Sequence, residues 1–213
     1  MGIQKSGPFG SFYKKTGPII GRRSKHQNVI TALHHPSNKP SSENQVVVQD
    51  RFTLLTEFLN KLKLLINLGF KAYSKERSAL NAAFSYNYPH AFLSTESGLM
   101  INYPKMVYSR GKILGVSVTQ LSRAGHELSL TWSPDLQSDY CQFSDLGTLM
   151  VYNANSGKAL AYLHAMKRRD LGYIATLPKD FETAELHCYL DFSSADGKMR
   201  GNSRYVGCVN DSQ

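Results

Sequence analysis

Apolar residues recur at Val48, Phe52, Leu55, Leu59, Leu62 and Ile66, spacings of three and four that trace one face of a helix. Ser41 or Ser42 can cap its start, with Gln45 about three residues on. Glu57 and Lys61 form an i,i+4 pair in the favourable order, and Gly69 is a natural stop. Together these signals predict one helix over residues 44–68, about 37 Å long at ~1.5 Å per residue. Leu54, Phe58, Leu64, Leu65 and Leu68 widen the stripe, so the helix needs cover on two sides, from its own domain and from a second chain. A shorter helix is expected near residues 75–84.

From about residue 99 the period changes to two. Leu114, Val116 and Val118 alternate with polar or small neighbours, as do Leu128, Leu130 and Trp132. Farther on, Ala184, Leu186, Cys188, Leu190 and Phe192 face one way, and Glu185, His187, Tyr189 and Asp191 the other. Turn signals stand at Arg110-Gly111, Ala124-Gly125, Ser133-Pro134-Asp135, Asn155-Ser156-Gly157 and Asp196-Gly197. Strands are expected at 127–132, 148–153, 159–166, 171–177, 184–192 and 203–209. Short strands at this spacing predict an antiparallel sandwich, and their order resembles a fibronectin type III or immunoglobulin-like unit. The expected fold class is α+β, mainly β. An extended arm (1–42) and a helical segment (43–98) precede a β-sandwich domain (99–213).

Charge changes the picture of the arm. Residues 1–42 contain no Asp or Glu but carry Lys5, Lys14, Lys15, Arg22, Arg23, Lys25 and Lys39, seven units of a formal net charge of +9. The remainder is almost balanced. Gly7-Pro8 and Gly17-Pro18 punctuate this leader and oppose a helix. Phe9, Phe12, Tyr13, Ile19 and Ile20 make it too apolar for a solvated tail. An extended, sticky, cationic arm should dock on something.

The likeness to a known family rests on the Gly-rich leader, Gln45, Arg51-Phe52, Phe58-Leu59 and Gly69-Phe70. It continues through Asn81, Ser109-Arg110-Gly111 and Tyr152-Asn153 to Ser194, Asp196-Gly197-Lys198, Ser203, Tyr205 and Gly207. On these residues the chain resembles a Bacteroidota family of roughly two-hundred-residue proteins known only as a domain of unknown function. The two leader prolines depart from the Lys and Val usual after its glycines. The resemblance implies architecture and no activity.

Signals for catalysis are weak. There is no Walker loop, no Gly-x-Gly-x-x-Gly, no Gly-x-Ser-x-Gly and no His-Glu-x-x-His. His187 and Cys188 are strand neighbours and point to opposite faces, which reads as a surface His beside a core thiol. His26 with His34-His35 lacks a nearby carboxylate and reads as a polar linker. Asp191 and Asp196 are separated by a strand end and a turn. We therefore expect no enzyme, no cofactor and no metal. Cys141, Cys188 and Cys208 are too scattered for a disulfide scaffold; Cys188–Cys208 is the one pairing worth testing. No stretch reaches the roughly 18 apolar residues of a membrane span, and the first residues lack the apolar core of a secretory signal. Cytoplasmic location is the default, with an extracellular or virion assembly as the alternative.

Three functional readings follow. The first is a structural subunit that associates with copies of itself into a filament, fibre or virion-type assembly. Its contacts would be Phe9, Phe12, Tyr13, Ile19, Ile20, Leu54 and Phe58, with Lys14, Lys15, Arg22, Arg23, Lys25, Arg168 and Arg169 meeting acids on the neighbour. The second is nucleic-acid binding by the basic arm, aided by Lys167-Arg168-Arg169 near Lys198, Arg200 and Arg204. The third is a binding or adhesion module using the loop 133–147, where Asp135, Asp139, Tyr140 and Asp145 could take calcium.

Overall fold

The computed structural model describes residues 2–4, 13–24, 27–35, 39–96, 98–181 and 185–210. Phe9, Phe12, Lys25, His26 and Ala184, all singled out above, lie outside the described residues. The chain forms two compact units, residues 1–43 and residues 44–213.

In the first unit the leader runs in extended strands that pair with one another. They are β1 (Gly2–Gln4), β2 (Lys14–Thr16), β3 (Ile19–Ser24) and β4 (Gln27–Ala32), in the order β1-β4-β3-β2. All neighbours are antiparallel, with Lys14 opposite Gly21 and Ile20 opposite Thr31. Gly17 takes φ +58° in the β2–β3 turn, a conformation that glycine adopts without steric cost. Of the residues whose exposure is described in this unit, only Gly21 and Val29 are buried.

The second unit opens with α1 (Glu43–Lys61) and α2 (Lys63–Gly69). The expected single helix over residues 44–68 is thus broken at Leu62, which has φ −98° and ψ 12°. The Leu62 N–H donates to Leu59 O at 3.1 Å, an i to i−3 bond that tightens the turn. Leu55, Phe58, Leu59, Leu62, Leu65 and Ile66 are buried on both sides of the break. The shorter helix, α3 (Ala79–Asn87), starts four residues later than expected because Ser78 is its cap, accepting from the Asn81 N–H at 3.1 Å.

After a hairpin of β5 (Phe92–Thr95) and β6 (Gly98–Ile101) come seven antiparallel strands in two sheets. They are β7 (Val118–Ala124), β8 (Glu127–Trp132), β9 (Leu146–Asn153), β10 (Lys158–Lys167), β11 (Gly172–Thr176), β12 (Leu186–Ser193) and β13 (Arg204–Val209). One sheet has the order β10-β9-β12-β13, the other β11-β8-β7. The fold is α+β, mainly β, with a sandwich-like pair of antiparallel sheets. Of the expected alternation Leu114, Val116, Val118, only Val118 lies in a strand; Leu114 is exposed and Val116 buried.

The sheet β10-β9-β12-β13 is covered on both faces. Leu149 and Val151 of β9 with Leu186, Cys188, Leu190 and Phe192 of β12 pack against Leu128, Leu130 and Trp132 of the other sheet. Met150, Tyr152 and Tyr189 on the opposite face join Leu55, Phe58, Leu59 and Ile66 in a second core. A two-layer sandwich leaves that outer face wet; here a helical layer closes it. His187, Tyr189 and Asp191, expected to face outward, are consequently buried, as are all eight residues of β12.

Candidate functional site

The residues proposed for self-association separate by location. Tyr13 and Ile19 are exposed and Ile20 is half-buried, as is Leu54. Phe58 is a correction: it is 3% exposed, packed edge-on against Tyr152 at 5.0 Å between ring centroids. It is a core residue and cannot meet a neighbour. Lys14, Lys15, Arg22, Arg23 and Arg169 are exposed.

Arg168 is the second correction. Its side chain is buried within the sandwich, with Nε 3.1 Å from Asp145 Oδ2 and Nη1 3.2 Å from Asp135 Oδ2. Nη2 donates to Leu114 O, and the guanidinium lies 4.4 Å from the Phe192 ring centre. The Trp132 indole N–H donates to the Arg168 carbonyl at 2.9 Å. This is an internal counter-ion system, so Arg168 has no charge to offer a partner. Asp135 and Asp145 are committed to it, which removes them from the calcium reading of the loop 133–147.

Residues far apart in sequence converge at a junction beneath a cationic cleft. Ser203 Oγ accepts from the Tyr108 N–H at 2.9 Å and the Ser109 N–H at 3.3 Å, and Ser109 Oγ donates to Gly201 O at 2.9 Å. Arg110 N–H donates to Gly69 O at 3.1 Å. A Cβ on Gly69 would stand 2.5 Å from Ser109 Cα, and one on Gly111 only 1.8 Å from Arg200 O. These glycines are required by close backbone approach. Gly69, foreseen only as a helix stop, is thus a contact point as well. The cleft above holds about 690 Å³ and is lined by Lys71, Tyr73, Arg110, Lys112, Lys198 and Arg200, with Asp196 the acid among its lining residues. The Arg110 guanidinium sits 4.6 Å from the Tyr73 ring centre and 4.1 Å from that of Tyr86.

Behind the junction, Tyr108 Oη donates to Asp191 Oδ1 at 2.7 Å. Burial pushes the Asp191 carboxyl up to about 6, against the lowering effect of that hydrogen bond and of Arg200. Burial likewise raises Tyr108 well above the ordinary tyrosine range, and the Asp191 charge adds to it.

A third group forms where β12 meets β13. Glu185, His187 and Cys208 bring their ligand atoms within 4.8 Å of one another. Cys208 pairs directly across the ladder with His187, and Cys188 with Gly207. The Cys188–Cys208 bridge weighed above is absent; both are free thiols, Cys188 buried and Cys208 exposed. The Cys208 thiol donates to Glu185 Oε1 at 3.4 Å, and burial with that bond raises it to about 11. His187 is lowered from the ordinary imidazole range by burial, which Glu185 partly opposes. The sequence could have flagged Glu185 and His187, two apart on one strand face. Cys208 joins them only through the β12–β13 register, which no local pattern encodes.

No helix among the described residues is long and apolar enough to cross a membrane. No curated protein and no solved structure matches the chain. The model of DUF6266, a family of unknown function, matches residues 11–207. The match runs from the leader to β13 and includes every residue of the junction, so the chain belongs to this family of unknown function.

Proposed function

We propose that the protein is a non-enzymatic assembly subunit, whose N-terminal sheet docks on a neighbouring copy to build a filament, fibre or virion-type array. One observation carries this reading: a sheet with an acid-free cationic leader that buries only Gly21 and Val29 among its residues of described exposure. So little core gives a small sheet marginal stability on its own. Its outer strand β2 presents a backbone edge of the kind that accepts another strand, flanked by exposed Tyr13 and Ile19. The start of α1 leaves Val46, Val47, Val48 and Phe52 between 44% and 56% exposed, a second apolar surface suited to a neighbour. Lys14, Lys15, Arg22 and Arg23 would meet acids on its rim. Such a contact is head-to-tail and propagates into a ring or an open fibre. The test replaces Tyr13 and Ile19 by Ser and Lys14 and Lys15 by Glu in the full chain. Sedimentation velocity should show the wild type heavier than a monomer and the variant shifted towards one. An unaltered distribution defeats the proposal.

The fibronectin type III or immunoglobulin-like affinity and a Bacteroidota origin belong to the same reading, the former supported by four strands facing three. A second function, nucleic-acid binding, draws support from the cationic cleft with Tyr73 beside Arg110. Its check is fluorescence anisotropy with a single-stranded oligonucleotide over a salt series, in which affinity should fall steeply with salt. No binding at about 50 mM salt excludes it.

A further inference from the structure

We propose that Glu185, His187 and Cys208 form a binding site for a zinc-type divalent cation, with one coordination position left open. His187 is 6% exposed, yet its Nε2 has no hydrogen-bond partner. Glu185 Oε1 stands 3.6 Å from it, beyond hydrogen-bond reach. An unpaired buried polar atom is costly, and it is retained here beside two exposed side chains that can each supply a ligand.

One tautomer makes that nitrogen a lone pair. His187 Nδ1 lies 3.0 Å from Tyr205 Oη. The tautomer with Nδ1–H donating to Tyr205 leaves Nε2 free to coordinate, the second-sphere arrangement usual for metal-binding imidazoles. Tyr103 stacks on the ring at 3.9 Å with a 24° interplanar angle, which holds its plane. Glu185 is pinned at both ends of its peptide: its N–H donates to Asn155 Oδ1 at 3.1 Å and its carbonyl accepts from the Ala154 N–H at 3.0 Å.

Distances decide whether an ion fits. Metal–ligand lengths of about 2.0–2.3 Å set tetrahedral ligand–ligand edges near ~3.3–3.6 Å. The Glu185–Cys208 and Glu185–His187 separations, 3.4 and 3.6 Å, already match those edges. The third pair, His187 and Cys208, also lies within 4.8 Å. One imidazole, one thiolate and one carboxylate suit a borderline cation such as zinc better than calcium or magnesium. Three protein ligands leave a fourth position for water or a side chain of another molecule. Glu185 and His187 line a cleft of about 470 Å³ with Tyr103, Leu93 and Met100, which gives room for it.

The test uses full-length protein, stripped with chelator and kept reduced with a phosphine, titrated with Co²⁺. One equivalent should bind and develop the thiolate-to-cobalt charge-transfer band in the near ultraviolet, and Zn²⁺ should bleach it. Cys208→Ser should abolish the band, while Glu185→Gln retains it at reduced affinity; both positions are exposed, so folding is preserved. Tyr205→Phe keeps the packing but loses the hydrogen bond to His187, and should weaken Co²⁺ binding about 10–100-fold. A wild-type protein without the band overturns the proposal. So does a band that survives Cys208→Ser, since Cys141 or Cys188 would then be its source.

Discussion

Asp191 shows how one residue's chemistry depends on a layer the local pattern does not reveal. Its place on the polar side of an alternating strand reads as solvated, yet it is 2% exposed and bonded to Tyr108. Its folded pKa of about 6 stands above the ordinary carboxylate value of ~3.9. Between those values the folded state keeps a proton that the unfolded chain has released, so stability must fall as pH rises from about 4 to about 6. A shift of that size corresponds to about 2–3 kcal/mol at higher pH. His187 and His164, both lowered by burial, act oppositely: stability they lend at neutral pH is lost as pH falls below about 6.5. The useful observable is therefore a difference. Asp191→Asn keeps an acceptor for Tyr108 and should gain stability relative to wild type across pH 4–6 in urea titrations. A difference independent of pH contradicts this account.

At the scale of elements, the strands were largely legible. Glu127–Trp132 lies where period-two alternation put it, because one of its faces must meet a core, and Lys158–Lys167 covers the strand expected at 159–166. The long helix was legible in its stripe and not in its break, since Leu62 fits a helix by every local criterion. The run Lys167-Arg168-Arg169 misled for a physical reason. β10 carries a register shift between Tyr162 and Met166, and His164 takes φ +51°. This irregularity breaks the strand's alternation just before Arg168, which ends up inside while its neighbours stay out. Arg168→Leu leaves Asp145 buried without its counter-ion, and should cost about 3–5 kcal/mol. Thermal unfolding measures this; Arg169→Leu, on an exposed side chain, is the control and should change little. Equal small effects for both would remove Arg168 from the centre of the sandwich.

For the molecule as a whole, composition spoke clearly about charge and poorly about layering. That residues 1–42 hold no acid was plain from the start. That β1 to β4 within them pair into a sheet was not, because Gly17 and Pro18 mark a turn without saying which strands it joins. The junction shows the same limit. Gly69, Ser109-Arg110-Gly111 and Ser203 stood out individually, but their shared role depends on contacts between distant segments, with Ser203 reaching Tyr108 and Ser109 across more than ninety residues. The cationic cleft is a product of that closure, and the Glu185–His187–Cys208 group a product of the β12–β13 register. Neither could be assembled from neighbours in sequence.

The account's central claim is that the N-terminal sheet finds its cover on another copy of the chain. Light scattering coupled to size exclusion, comparing the full chain with a version lacking residues 1–43, tests it most directly. The account predicts a mass above that of one 23.8 kDa chain for the former, increasing with concentration, and a folded monomer for the truncated protein. A full-length protein that stays monomeric at every concentration, or a truncated one that assembles just as well, would contradict it.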